Sequence, residues 1–223
     1  GFIGAFRIAL YICPTEERDQ VRLDGNGVPI HYPTNYGVNR GVWRVFDPTG
    51  QLPEEGAIQA NQGTAMRLFT DGSSKTLLVA EVKAYQPYLR DVGSDVPVAV
   101  DQPSLICDLG YGSSNGFKTD SGHTEWVDGR VHQTGFTAAM PPNTAAPCDD
   151  SSSGQQYDVD WTSSREGLSP TNKTYAAVTS RSYHSGAVVN VAMVDGSVHV
   201  ISGEIDLQVW RAMATRAGGE ATE

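Results

Sequence analysis

The stretch with the clearest potential for chemistry is GHTEWVDGRVHQTGF, residues 122–136. Within it lie four side chains that can act as acids, bases or ligands: His123, Glu125, Asp128 and His132. A carboxylate beside an imidazole can catalyse proton transfer, and the same groups can bind a metal. In a competing structural interpretation, Asp128-Gly129 forms the turn of a hairpin, Trp126 packs inside, and the other polar groups hydrogen-bond to loops. The sequence favours this structural interpretation.

A second candidate is His184, near the start of YHSGAVVNVAMVDGSVHVIS, residues 183–202. The β-branched residues on both sides of Asp195-Gly196 predict a β-hairpin closed by a type I′ turn. A histidine before a Ser-Gly turn commonly donates to a nearby carbonyl, although it can also be a ligand or base. No catalytic residues are assigned; if the protein is an enzyme, the expected set is His123, Glu125, Asp128 and His184.

Four aspartates are candidates for a calcium site: Asp149, Asp150, Asp158 and Asp160. They lie in a stretch rich in Pro, Ser and Asp, where carboxylates and carbonyls can converge on a hard cation. The spacing is not that of an EF-hand, and acidic loop residues are commonly just solvated. The tentative calcium ligands are Asp158 and Asp160, with Asp149 and Asp150 in support, and we expect no other cofactor.

Two further kinds of chemistry lack their signatures. A serine hydrolase of the nucleophile-elbow type needs GxSxG at a strand-to-helix turn, and the one match in the sequence, Gly112-Ser113-Ser114-Asn115-Gly116, lies in a Gly- and Ser-rich segment that predicts a loop. The three cysteines fit no zinc motif. Cys107 and Cys148 flank a Gly- and Ser-rich region and form a disulfide in an oxidising compartment, or else all three thiols, including Cys13, stay unpaired. Both alternatives stay open.

The composition indicates the class of protein. A net charge of −10 over 223 residues disfavours nucleic-acid binding, because phosphate backbones are repelled. The 24 glycines and 12 prolines predict many turns, hence a β-rich fold with long loops. No apolar run reaches the roughly 18 residues that span a bilayer. The length fits one globular domain, residues 1–223.

The elements that would position these side chains follow from periodicity. Alternating apolar residues in the opening GFIGAFRIALYIC predict a strand. Buried strands are predicted at 76–82 and 175–179. The segments 91–122 and 140–173, rich in Gly, Ser, Pro and Asp, are predicted to be long loop excursions. The α+β class is therefore expected, with a mainly antiparallel sheet.

The pattern of EIDLQVWRAMATRAGG predicts a helix. Asp206 is a suitable N-cap, and Gly218-Gly219 would end the helix. Leu207 and Trp210 share a face that should pack on the preceding hairpin, because the connection between hairpin and helix is short.

Several stretches resemble the DUF1559 family of planctomycete proteins: Cys13-Pro14, TNYGVNRGVW, LFTDGSSKTLLVAEVKAYQPYLR, GHTEWVDGRVHQTGFTAAMPPNT, YDVDWTSSREG, TYAAVTSRSYHSGAVVNVAMVDGSVHVIS and DLQVWRAMATRAGGE. Together they cover most of the chain. Members of that family begin with a prepilin-type segment and resemble type IV pilins and type II secretion pseudopilins. The resemblance implies a pilin-like α+β headpiece, and it strengthens the calcium prediction, since pseudopilins often carry calcium in a loop.

The resulting functional hypothesis is an extracellular or cell-surface structural subunit that assembles with copies of itself or with other pilin-like subunits, without catalysis. The sequence has no initiator methionine, so we expect a longer gene product whose N-terminal helix provides any membrane contact. Two alternatives stay open. One is a secreted hydrolase of glycans or esters, with Glu125, Asp158 and Asp160 as the carboxylates to pair. The other is a polysaccharide-binding module that uses exposed Trp43, Trp126 or Trp161.

Overall fold

The computed structural model describes residues 2–51, 55–93 and 95–219. Gly1 of the predicted first strand and Ser94 of the first predicted excursion lie outside these ranges. Fourteen strands occur in the described ranges: β1 Arg22–Leu23, β2 Pro29–His31, β3 Tyr36–Asn39, β4 Arg44–Phe46, β5 Leu77–Glu81, β6 Gln86–Arg90, β7 Phe117–Gly122, β8 Gly135–Phe136, β9 Pro147–Asp150, β10 Gln155–Asp158, β11 Asp160–Thr162, β12 Thr174–Ala177, β13 Val188–Met193 and β14 Val198–Ser202. The α-helices there are α1 Ser104–Asp108, α2 Val131–Thr134 and α3 Leu207–Ala214, and the 3-10 turns are Ile3–Ala5, Ala9–Tyr11 and Met66–Leu68. None of these helices is long and apolar enough to cross a membrane.

The strands form two five-stranded sheets and two small hairpins. The first sheet has the order β4-β12-β11-β6-β7 and the second β14-β13-β5-β3-β8. Neighbours are antiparallel except for β6 with β11 and β3 with β8, which are parallel. The predicted α+β class and largely antiparallel pairing are confirmed, although two sheets replace the single sheet that was expected.

Each large sheet contributes to a hydrophobic core. The first core is built around Trp43 and Trp161, whose rings stack with centroids 5.5 Å apart. The second contains Val189 and Val191 of β13 together with Trp210 of α3. The C-terminal helix is therefore fixed by the face of the hairpin that precedes it.

The C-terminal hairpin and helix are confirmed, with three differences, which concern the type of turn, the end of the helix and the packing of Leu207. Of the two turn residues only Gly196 has a positive φ, 86°, and its N–H donates to the Met193 carbonyl at 3.0 Å. This arrangement is a tight turn followed by a left-handed glycine, and not the predicted type I′ turn.

Asp206 caps the C-terminal helix by accepting from the backbone N–H groups of Gln208 and Val209, but the helix ends at Ala214. Ile205 and Met213 pack against the core, whereas Leu207 stays half-buried.

The prediction of an opening strand is wrong. The segment instead forms two 3-10 turns, whose carbonyls at Gly4 and Tyr11 accept from Tyr32 N–H (2.6 Å) and Asn35 N–H (2.7 Å). Apolar alternation predicts a half-buried strand only where a partner strand is available. In the described part of the chain this segment has no partner strand, because its backbone carbonyls accept hydrogen bonds from the connection between β2 and β3. The apolar side chains remain largely exposed.

The prediction that segments 91–122 and 140–173 are long loops is also wrong. Segment 91–122 contains α1 and β7, and segment 140–173 contains β9, β10 and β11. The Cys107–Cys148 disulfide joins α1 to β9, and Cys13 is the free, buried cysteine. Strand β11 lies in the middle of the first sheet with Trp161 fully buried. At three residues, it is too short for periodicity to reveal it.

Candidate functional site

The predicted hairpin in residues 122–136 does not form. After β7 the chain passes through a turn into α2 and then β8. The Asp128 carboxylate accepts from Arg130 N–H at 3.0 Å and pairs with the Arg130 guanidinium, so Asp128 stabilises the entry to α2. Val131 N–H donates to Glu166 at 2.9 Å. These side-chain contacts stabilise a helical turn where the sequence pattern indicated a strand pair.

The expected imidazole–carboxylate pair is separated. The Glu125 carboxylate lies 2.6 Å from Arg22 Nη1 and 3.6 Å from His31 Nε2. His123 is buried, with Nδ1 3.1 Å from the Gln133 carbonyl and Nε2 3.9 Å from Asp160 Oδ2. Each member of the predicted pair therefore has a different neighbour. His123 has a positive φ of 54°, which is incompatible with the strand in which His123 and Glu125 were predicted to share a face.

Burial shifts the ionisation of three groups here. It lowers the pKa of His123 to about 4 and that of His132 to about 3. His132 stacks on Tyr88 with centroids 4.7 Å apart. Burial raises the pKa of Asp160 to about 6, although the Arg181 guanidinium acts in the opposite direction. Both histidines are thus neutral members of the core at neutral pH.

Replacing His132 by glutamine should flatten the pH dependence of stability. Because His132 titrates near 6.5 when unfolded, the unfolded state binds more protons below that pH, and stability falls on acidification. Asp160 acts oppositely, since its stabilising contribution is lost as pH rises through about 6. The slope of unfolding free energy between pH 6 and 4 should decrease by about 1.4 kcal/mol per pH unit in His132→Gln. Urea unfolding at several pH values measures this.

The matched control is His199→Gln, an exposed histidine, which should leave the slope unchanged. Equal slopes in wild type and His132→Gln would contradict the buried neutral state of His132.

The aspartates predicted to bind calcium surround a guanidinium. Arg181 is 2% exposed, forms a short contact with Asp160 Oδ1, and donates to Asp158 at 3.1 and 3.2 Å. Asp160 also accepts from Thr179 N–H at 3.1 Å. The oxygens that would coordinate calcium are therefore already bound to a cation of the protein itself.

The two supporting aspartates lie elsewhere on the β9–β10 hairpin. The register places Asp158 opposite Pro147, so Asp150 is three residues further along the strand, roughly 10 Å away. Asp150 accepts from the hydroxyls of Ser152 (2.8 Å) and Ser153 (2.7 Å), as in a polar turn. Calcium at these residues stays a prediction, without convergent contacts in its favour.

Three side chains whose proximity was not predicted from the sequence form a tight cluster: Cys13, Glu81 and His184. His184 Nε2 lies 3.0 Å from Glu81 Oε1 and 3.7 Å from Cys13 Sγ, and Sγ lies 3.5 Å from the same carboxylate oxygen. Cys13 is 7% and Glu81 2% exposed, whereas 27% of the His184 side chain is exposed. This cluster is the candidate functional site.

Separate parts of the chain position the three groups. Cys13 follows the second 3-10 turn, and its N–H donates to Asn35 Oδ1 at 3.0 Å. Glu81 ends β5, and its Oε2 accepts from the backbone N–H of Asn190 on β13 at 2.7 Å. His184 lies in the loop before β13, where its N–H donates to Ser182 Oγ at 3.1 Å. The site is thus held between the N-terminal segment and the second sheet.

The geometry of the cluster is that of convergent ligands. In a Cys–His–acid relay the thiol and the carboxylate contact different nitrogens of the imidazole. Here Cys13 Sγ and Glu81 Oε1 both lie at His184 Nε2, so the relay arrangement is not formed. Beside Cys13 and Glu81 is a cavity of about 10 Å³, which is room for about one water. Thiolate, imidazole and carboxylate at one point are donors for a transition metal.

Of the cluster, sequence reasoning identified only His184. The signal for Glu81 was present in LLVAEVK, where a single carboxylate interrupts an otherwise apolar buried strand. Such a group requires a partner in the core. Cys13 carried no spacing signal, because its partners lie 68 and 171 residues away.

Two of the three tryptophans expected to bind polysaccharide are not exposed. Trp43 and Trp161 are buried in the first core, and Trp126 is half-buried, donating to the Phe6 carbonyl at 3.1 Å. Because Trp43 and Trp161 pack in the core, this premise of the binding-module alternative is wrong for these two residues, whereas Trp126 keeps part of its surface accessible.

The fold and the cluster define a β-rich α+β protein with one disulfide and a buried Cys–Glu–His group between its N-terminal segment and its second sheet. The chain belongs to the family described as "Protein of unknown function (DUF1559)", whose model matches residues 4–208. This confirms the family predicted from the sequence. No curated protein and no solved structure matches the chain.

Proposed function

We propose that the protein is an extracellular structural subunit with a pilin-like headpiece, which assembles with copies of itself into a filament or pseudopilus resembling those of type IV pilins and pseudopilins. The observation that carries the proposal is the apolar face of the N-terminal segment. Its large side chains are mostly exposed: Phe2 62%, Ile3 71%, Phe6 65% and Leu10 86%. Several large exposed apolar side chains within one short segment are typical of an interaction site.

The backbone under this N-terminal face is fixed. Gly4 packs so closely that an added Cβ would lie 3.0 Å from Val127. The carbonyls of Gly4, Phe6 and Tyr11 all accept hydrogen bonds from the body of the protein. The apolar side chains are therefore held outward by the architecture, and an interface prepared in this way loses little conformational entropy on binding.

The N-terminal face includes a groove. It has a volume of about 470 Å³ and is lined by Phe2, Ala5, Phe6, Val28 and Pro29. An apolar side chain from a different surface of a neighbouring subunit would enter it in a head-to-tail contact, which builds a filament when the rotation does not close.

The chemistry of the chain suits a location outside the cytoplasm. The Cys107–Cys148 disulfide persists in oxidising compartments. The net charge of −10 favours a solvated exterior and opposes binding to nucleic acid. Copies of this chain or other pilin-like subunits are the proposed partners.

Substituting Phe6 and Leu10 by serine together should weaken self-association by at least about tenfold, because two exposed apolar side chains leave the interface. Sedimentation velocity over a range of concentrations measures the association, and electron microscopy records filaments. Since both side chains are mostly exposed, circular dichroism should show an unchanged fold.

The matched control replaces Val98 and Leu168, which are 77% and 57% exposed at other places on the surface, by serine. This variant should associate as the wild type does. A wild-type protein that stays monomeric at all concentrations would overturn the proposal, as would an undiminished association of the Phe6→Ser, Leu10→Ser variant.

A further inference from the structure

We infer that Cys13, Glu81 and His184 form a binding site for a divalent transition metal of the Zn²⁺ type. The inference concerns the buried cluster and does not depend on the proposed assembly. The three donor atoms belong to residues separated by 68, 103 and 171 positions, so their convergence is a property of the fold.

The spacing of the donors fits a tetrahedral ion. With zinc bound at about 2.3 Å to sulfur and about 2.0–2.2 Å to nitrogen and oxygen, tetrahedral angles place the donors about 3.4–3.6 Å apart. The observed separations are 3.0 Å for Nε2–Oε1, 3.5 Å for Sγ–Oε1 and 3.7 Å for Sγ–Nε2. Shifts of a few tenths of an ångström would therefore complete the site.

The charges also balance. A Cys13 thiolate, the Glu81 carboxylate and a neutral His184 imidazole sum to −2, which one divalent cation neutralises. A neutral group is much less costly to bury than isolated charges. Binding requires loss of the thiol proton to solvent, together with any proton on His184, so it releases protons and strengthens as pH rises.

Surrounding contacts orient the ligands. Asn190 N–H binds Glu81 Oε2 at 2.7 Å, which directs the other carboxylate oxygen toward Cys13 and His184. Asn35 Oδ1 accepts from Cys13 N–H and fixes the backbone of that ligand. Such outer contacts raise metal affinity by about 10–100-fold. The His184 side chain is 27% exposed, which gives an ion access to the cluster, and the Asn190 amide, whose Nδ2 lies 3.0 Å from Glu81 Oε1 and 3.2 Å from His184 Nε2, would turn away from both atoms on binding.

The ligand set selects the kind of metal. Thiolate and imidazole favour zinc and related ions, whereas calcium and magnesium prefer oxygen ligands only. A bound ion would connect the N-terminal segment to β5 and to the loop before β13. The site would thus be a structural metal site that fixes the position of the N-terminal segment.

The test is titration of the purified chain, with the disulfide intact and Cys13 reduced, using Zn²⁺ by calorimetry and Co²⁺ by absorption. We expect one ion per chain and a sulfur-to-cobalt charge-transfer band. Cys13→Ser should abolish the band, and both Cys13→Ser and His184→Gln should weaken binding by at least about 100-fold, since each removes a direct ligand. Calcium should not compete.

His199→Gln is the matched control, because it removes an exposed histidine outside the cluster and should bind as the wild type does. Circular dichroism with the metal absent confirms that each variant is folded, and Glu81→Gln provides a third ligand variant. Absence of saturable one-to-one binding in the wild type would overturn the inference. Unchanged binding in Cys13→Ser or His184→Gln would overturn it equally.

Discussion

Replacing Arg181 by methionine should destabilise the protein by about 3–5 kcal/mol, because it removes one partner of a buried ion pair. Arg181 is 2% exposed and donates to both Asp158 and Asp160. Removing it leaves Asp160, itself 2% exposed, without its guanidinium. The pKa of Asp160, already raised to about 6 by burial, would rise further, and the carboxyl would be protonated at a cost in folding free energy.

Urea unfolding with the disulfide intact measures the loss. Arg165→Met is the matched control, since the Arg165–Asp91 pair is partly exposed (27% and 20%) and should contribute at most about 1 kcal/mol. Adding Asp160→Asn to Arg181→Met should recover part of the stability, because the uncompensated buried charge is then absent. A loss in Arg181→Met no larger than that in Arg165→Met would contradict the prediction.

Truncating Trp210 to alanine should cost about 3–5 kcal/mol of unfolding free energy, as large aromatic truncations in cores do. Trp210 is fully buried between α3 and the second sheet, with its ring centroid 6.0 Å from that of Phe136. The cavity left by the indole would be bordered by Val189 and Val191, which are held in the sheet and cannot close over it.

The control lies one residue away in the same helix. Val209 is 41% exposed, and Val209→Ala should change stability by no more than about 0.5 kcal/mol. Thermal melts and urea unfolding of both variants test the ranking. A Trp210→Ala protein as stable as the Val209→Ala protein would show that α3 contributes little to the second core.

The elements with strong local signals could be predicted from the sequence. The hairpin on either side of Asp195-Gly196 and the helix capped by Asp206 were both found, because alternation, turn residues and capping act over a few neighbouring residues. The opening segment has the same alternation yet forms 3-10 turns. Its bonding partners, the N–H groups of Tyr32 and Asn35, belong to another part of the chain.

The candidate site was less predictable than the fold. His184 could be identified as a polar residue without an assigned partner, but nothing near it in the sequence indicates Cys13 or Glu81. The predicted cluster around His123 failed for the opposite reason. Its residues are close in sequence, but His123 packs against Asp160, while Glu125 pairs with Arg22.

By itself the sequence determined the family, the β-rich α+β class, the C-terminal hairpin and the helix that follows it. These features depend on residue type and on short-range periodicity, which can be read from a few neighbouring residues. Only the tertiary structure decided which donors meet at His184, which cation lies between Asp158 and Asp160, and which apolar residues stay exposed at the N-terminal face. Those outcomes depend on contacts between residues far apart in the chain, whose distances are fixed only when the two sheets pack.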